Sequence, residues 1–195
     1  PVEVDALESA PSSAVGIDLG LKELATLSTG AKIENPRWYR ASEAKLAVAQ
    51  RAGKKKQAKR IHAKAANQRK DFLHKASTAL VKAHDTIIVG DVSSSKLSRT
   101  SMAKSVMDVG WYSFKQQIRY KSIRNGGTYV EVSERNTTRT CSSCGSVSGP
   151  QGVNGLRIRE WTCVDCGAIH DRDRNAAANI LRLGLETLTE GACHV

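Results

Sequence analysis

No apolar stretch in the 195 residues approaches the ~20 residues that a membrane-spanning helix needs, so no membrane partner is expected. The pattern of a secretory signal is missing as well. Cysteine is scarce. Four of the five cysteines fall in two short pairs and leave only Cys193 over, which argues against a disulfide scaffold and for a reducing cytoplasm. There is no Walker loop, no G-x-G-x-x-G and no Ser-His-Asp order, so the common nucleotide-binding and serine-hydrolase signatures are excluded. Acid is in short supply: 30 Lys and Arg stand against 19 Asp and Glu, for a net charge of +11. Such an excess predicts a polyanionic partner, most simply nucleic acid.

The most specific signal lies near the C-terminus. Cys141-Ser-Ser-Cys144 and Cys163-Val-Asp-Cys166 are separated by eighteen residues. Two such knuckles form a zinc-ribbon pattern, since four thiolates suit tetrahedral Zn²⁺. The ribbon is expected over 139–168. His170 follows closely, but four cysteines already complete the metal's shell, so it reads as a surface residue. The chain then runs into Asp171-Arg-Asp173-Arg-Asn175-Ala-Ala, placing acids beside a metal module.

Elsewhere the order of elements suggests α/β architecture. Residues 1–13 read as a linker, and a chain beginning at Pro1 without Met reads as a fragment or a processed piece. Residues 14–33 alternate short apolar runs with Gly turns, as a three-stranded hairpin would. From 37 to 84 Gly and Pro nearly vanish, and Ile61, Ala65, Phe72, Ala76, Leu80 and Ala83 recur at helical spacing, which predicts long helix, either continuous or as two helices with a bend near Gly53. Residues 37–82 hold 14 Lys and Arg but only two acids, Glu43 and Asp71. That imbalance favours phosphate contact, with Lys54, Lys55, Lys56, Lys59 and Arg60 the densest group. Thr86–Asp91 reads as a buried strand, followed by a Ser/Lys-rich loop from 93 to 105. Met107, Trp111, Phe114 and Ile118 give a helix whose aromatic stripe is core. Thr128–Val132 is a further strand, 173–183 the closing helix, and 185–195 a frayed tail.

Four acids sit at the ends of apolar elements: Asp18, Asp91, Glu134 and Asp173. Asp18 stands out, because an unpaired carboxylate inside a core-like strand is costly. Converging carboxylates suit Mg²⁺, a hard cation that takes oxygen ligands and supports phosphodiester cleavage.

Gly16-Ile-Asp18-Leu-Gly20, the paired CxxC knuckles and the Asp173-Arg-Asn175-Ala-Ala-Ala-Asn-Ile180 segment together resemble the C-terminal half of TnpB-type proteins. These are transposon-encoded, RNA-guided nucleases related to type V CRISPR effectors. The resemblance covers about 14–184. It implies an RNase H-like (RuvC) nuclease domain over 14–138, closed by 169–184, with the ribbon inserted and the basic helices 37–84 inside it. It also implies structural Zn²⁺, catalytic Mg²⁺ (replaceable by Mn²⁺), a DNA target, and a guide RNA held by a longer parent. The expected setting is the prokaryotic cytoplasm, close to the nucleoid. The family's first and third acids fall on Asp18 and Asp173. Its second, a Glu ending a strand, falls on Gly90. Three readings stay open. Glu134 supplies the group from the adjacent strand, which is preferred; Asp91 shifts by one residue; or the protein is a nuclease-dead, RNA-guided DNA-binding protein.

Overall fold

The computed structural model describes residues 13–92, 105, 108–155 and 157–192. The expected linker up to residue 12, nearly all of the Ser/Lys-rich loop, Met107 and Cys193 lie outside the described residues.

Five strands form the main sheet: β1 (Ala14–Leu19), β2 (Glu23–Leu27), β3 (Lys32–Glu34), β4 (Thr86–Gly90) and β5 (Thr128–Val132), in the order β3-β2-β1-β4-β5. The first three are antiparallel, as short connections allow, while β4 and β5 run parallel to β1. The parallel strands need long crossovers. Helices α1 (Trp38–Arg51) and α2 (Lys55–Ala83) bridge β3 to β4, and α3 (Trp111–Arg124) lies between β4 and β5. Helix α4 (Arg172–Ala192) closes the chain.

Strand alternation divides the core between two faces. Val15, Ile17, Ile87 and Val89 point toward α2 and α3, where they meet Leu73, Leu80, Trp111, Phe114 and Ile118. The aromatic stripe is therefore core; Phe114 and Ile118 are completely buried. Ile88 and Val132 point the other way, against Ile180 of α4. Two glycines let α4 lie flush on the sheet. A Cβ on Gly16 would stand 2.6 Å from the Leu181 nitrogen and collide with the Ala177 carbonyl, and one on Gly184 would overlap Ile88.

The helices bend where expected, at Gly53, whose φ of 64° terminates α1. The buried stripe of α2 is shifted from the expected one. Leu73 and Ser77 lie innermost, with Phe72 and Ala76 only partly covered, while Ala83 is exposed. Ser77 escapes apolar periodicity because it is polar; its hydroxyl bonds Leu73 O at 2.7 Å and lies 3.1 Å from Gln117 Oε1.

Two boundaries differ from expectation. The ribbon's hairpin, β6 (Glu160–Thr162) with β7 (Ile169–Asp171), carries the module past residue 168. And 185–192 are not a tail: α4 continues to Ala192. An i,i+4 pair, Arg182–Glu186 at 2.8 Å, spans Gly184 and supports the extension, and residues 185–190 contain neither Gly nor Pro.

Candidate functional site: an acidic centre beside a four-cysteine ribbon

Register places the acids. Ile17 pairs with Val89 and Gly90 with Val132, so Asp18 and Gly90 are neighbours at the carboxyl ends of β1 and β4. Asp18 shares the α4-facing side of the sheet with Gly16, and Gly90 shares it with Ile88. Asp91 follows one residue after Gly90, where the side-chain period turns it away.

Glu134 fills the space beside Gly90. A Cβ on Gly90 would stand 2.7 Å from Glu134 Cδ and collide with Cγ and Oε1. Glu134 Oε1 is buried without a hydrogen-bond partner. Burial, first, and then the Asp91 charge push its carboxyl up to about 7, against the pull of Lys115. A cation bound beside it would oppose that rise. Asp91 meanwhile acts on the backbone. Its N–H bonds Val132 O at 2.8 Å, and its Oδ1 accepts the Glu134 N–H at 3.1 Å. It steers the chain out of β5 so that Glu134 turns back over the sheet end.

Asp18 is held well above the usual carboxylate range, by burial first and then by Glu134 and Asp173, with Arg172 opposing. Asp91 is not among the charges that move it. Asp173 comes from the first turn of α4. That helix is capped by Asp171, whose Oδ1 accepts the Arg174 N–H at 2.8 Å. Arg159 of the ribbon lies 3.3–3.4 Å from both Asp173 oxygens.

Asp18 and Asp173 open into a cleft of about 680 Å³ whose lining includes Lys22, Arg37, Arg40 and Arg159. Asp108 shapes its wall. Nearly buried, it accepts the Tyr39 N–H at 2.9 Å at the start of α1 and pairs with Arg69 at 3.5 Å. Sequence periodicity does not single out Arg159 or Asp108, because each matters through a partner at least 14 residues away. Lys54, Lys55, Lys56, Lys59 and Arg60 are all exposed, around the α1–α2 turn.

The four cysteines converge, with their sulfurs all within 4.8 Å of one another. Cys141–Cys166 and Cys144–Cys163 are each 3.7 Å apart, far beyond a disulfide bond. A tetrahedron with Zn–S of about 2.3 Å has edges of about 3.8 Å, so the quartet fits Zn²⁺ as it stands. Among the described residues it is the one such set drawn this tightly together; the three carboxylates stand further apart. His170 corrects its expected surface position. Alternation in β7 exposes Ile169 and turns His170 inward, with Nε2 3.0 Å from Cys141 Sγ and the ring 4.7 Å from that of Trp161.

A mixed α/β fold with a cleft lined by both acidic and basic residues and a four-cysteine ribbon defines the class. Residues 1–101 match the family described as "Probable transposase", and 111–180 match "Cas12f1-like, TNB domain". The chain belongs to this TnpB-type transposase family. A Streptomyces pristinaespiralis protein named "Putative RNA-guided DNA endonuclease" is 40% identical over 93% of this chain and 48% of its own length. The Escherichia coli protein of that name, InsQ, is 30% identical over 92% of the chain and 51% of its own length. The chain thus spans about half the length of these curated relatives. The fold is shared with a Cas12f1 chain solved with sgRNA and target DNA, at a TM-score of 0.65 and 19% identity, over 92% of this chain and 51% of that one. No described helix is long and apolar enough to cross a membrane.

Proposed function

We infer that this chain is the RuvC-type, RNase H-like half of an RNA-guided DNA endonuclease, with Asp18, Glu134 and Asp173 as its Mg²⁺-binding acids. One observation carries the reading: the Glu134 carboxyl lies over Gly90, the strand-end neighbour of Asp18, while the Asp91 carboxylate is occupied by the Glu134 N–H. The donor set fits a divalent cation. It offers carboxylate oxygens whose mutual repulsion a cation would relieve, one of them a buried oxygen without a partner. Bound Mg²⁺ would supply Lewis acidity, favouring hydroxide over water and offsetting charge on the leaving oxygen. The chain's own groups do the rest. Arg37, Arg40 and Lys22 attract the phosphate backbone to the cleft, and the apolar sheet beneath Asp18 keeps bulk water out.

DNA is the proposed target and guide RNA the proposed partner, held by a longer parent. A second reading, a nuclease-dead RNA-guided DNA-binding protein, draws on the Arg159–Asp173 pair, which neutralises one of the three acids. Cleavage assays on the full-length, guide-loaded protein separate the two. Asp18→Asn and Asp173→Asn are each expected to lower cleavage by about 10³-fold or more while guided binding persists. A wild-type protein that binds its target and cuts under no divalent metal would establish the second reading.

The exposed lysines of the α1–α2 turn supply the phosphate contacts. Reversing Lys54, Lys55 and Lys56 to Glu should flatten the plot of log K against log salt by about 2–3. An unchanged slope would remove this segment from the interface.

A further inference from the structure

Asp173 and Glu134 reach the same centre from opposite ends of the ribbon, one entering α4 and the other leaving β5. Something must fix the distance between them. The ribbon alone offers little, because among the described residues its apolar core is Cys141, Trp161 and Cys163, with Ala168 packed against them.

The bond network supplies a direct connection. Thr137 donates twice to the Glu134 carbonyl, from its N–H at 3.2 Å and its hydroxyl at 2.9 Å. The Thr137 carbonyl in turn accepts Asn175 Nδ2 at 3.1 Å and Asn179 Nδ2 at 2.9 Å. The same two amides reach the Thr140 carbonyl, at 2.8 and 2.7 Å. Two carbonyls, each with two lone pairs, are thereby filled by two amide groups from one face of α4. Asn175 does a third thing: its Oδ1 accepts the Ser142 N–H at 2.9 Å, inside the first cysteine knuckle. Asn175, Asn179 and Thr137 are all nearly buried, so water does not readily substitute for these bonds. Asn175 is two residues from Asp173, and Thr137 is three from Glu134.

We propose that Asn175 and Asn179 are positioning residues that set the separation of Glu134 and Asp173 and couple it to the first cysteine knuckle. The proposal rests on the acidic-site reading above. Neither amide touches substrate. Each acts by holding the turn after Glu134 against the helix that carries Asp173. Asn175 makes the cysteine knuckle a third fixed point of the same frame.

The substitution Asn175→Asp tests this. It keeps the volume and the acceptor for Ser142 but replaces the donor to Thr137 and Thr140 with an oxygen that repels their carbonyls. Thr137→Val is the companion variant. It removes the hydroxyl bond to Glu134 and leaves both asparagines in place. Two readouts are taken on full-length, guide-loaded protein: steady-state cleavage, and Mn²⁺ binding by electron paramagnetic resonance without DNA. Asn175→Asp should retain zinc and guided binding. It should lose about 10²-fold in kcat with little change in KM, since misplacement of roughly an ångström costs that much. Mn²⁺ should bind about tenfold more weakly, and Thr137→Val should move both readouts in the same direction by less. In a Glu134→Gln background, Asn175→Asp should weaken Mn²⁺ little further, because both act through one ligand. Asp18→Asn is the control. If it abolishes Mn²⁺ binding while zinc-loaded Asn175→Asp and Thr137→Val bind and cut as wild type, the positioning role is overturned and the acidic site stands. If Asp18→Asn leaves Mn²⁺ binding unchanged, the acidic-site reading fails and takes this proposal with it.

Discussion

Glu134→Gln in the full-length, guide-loaded protein is expected to abolish Mg²⁺-dependent cleavage and leave target binding nearly intact. The amide is isosteric, so packing over Gly90 survives, but the charge that a divalent cation needs is gone. Losing several kcal/mol of transition-state stabilisation corresponds to ~10³-fold or more in rate. Binding persists because it rests on base pairing and phosphate contacts. Asp91→Asn should be mild, since an asparagine Oδ1 still accepts the Glu134 N–H that Asp91 now holds. The occupied space beside Gly90 adds a sharper test. Gly90→Glu alone should reduce cleavage, because its Cβ overlaps Glu134 and displaces it. Combining Gly90→Glu with Glu134→Gly exchanges the two and should restore activity, as both side chains start from the same side of neighbouring strand ends. A dead Asp91→Asn alongside an active Glu134→Gln would move the role to Asp91.

The second large effect concerns the ribbon. Freshly reduced protein should carry about one equivalent of Zn²⁺, and Cys163→Ser should lose most of it. A two-stranded sheet with so small an apolar core cannot hold itself together. A structural zinc site, by contrast, contributes an apparent ~10–16 kcal/mol in small modules. The main sheet should survive, because its larger core lies on the α2 and α3 side and neither of its two clusters includes a ribbon residue. Near-UV circular dichroism should therefore show loss of the Trp161 environment while far-UV helix content changes little. Less than about half an equivalent of zinc in wild-type protein, or global unfolding of Cys163→Ser, would contradict this division.

Much of the architecture was legible because local rules and the fold agree. The Gly turns of 14–33 announced antiparallel strands, and the Gly-poor stretch after Arg37 announced helices broken at Gly53. The cysteine spacing announced the quartet. Asp18 declared itself by interrupting an apolar strand. The side of the sheet on which Asp91 falls followed from the period of two. Other features had no local signature. His170 is buried only because β7 pairs with β6, and Ser77 only because Gln117 crosses from α3 to meet it. Asp108 caps a helix that begins 70 residues earlier in the chain. Arg159 meets Asp173 only once the hairpin folds back. Such contacts belong to the tertiary fold, and no window of sequence contains both partners.

Gly16 and Gly184 have a dynamic consequence. Helix α4 is keyed to the sheet at two places, the Ala177–Leu181 backbone over β1 and Gly184 over Ile88 of β4. Two keys on neighbouring strands block both sliding along the helix axis and rolling about it. Asp173, one turn before the first key, inherits that immobility. At the proposed metal site, Asp173 would then adjust to a cation mainly by side-chain torsion, a picosecond-to-nanosecond motion, rather than by slower movement of the helix.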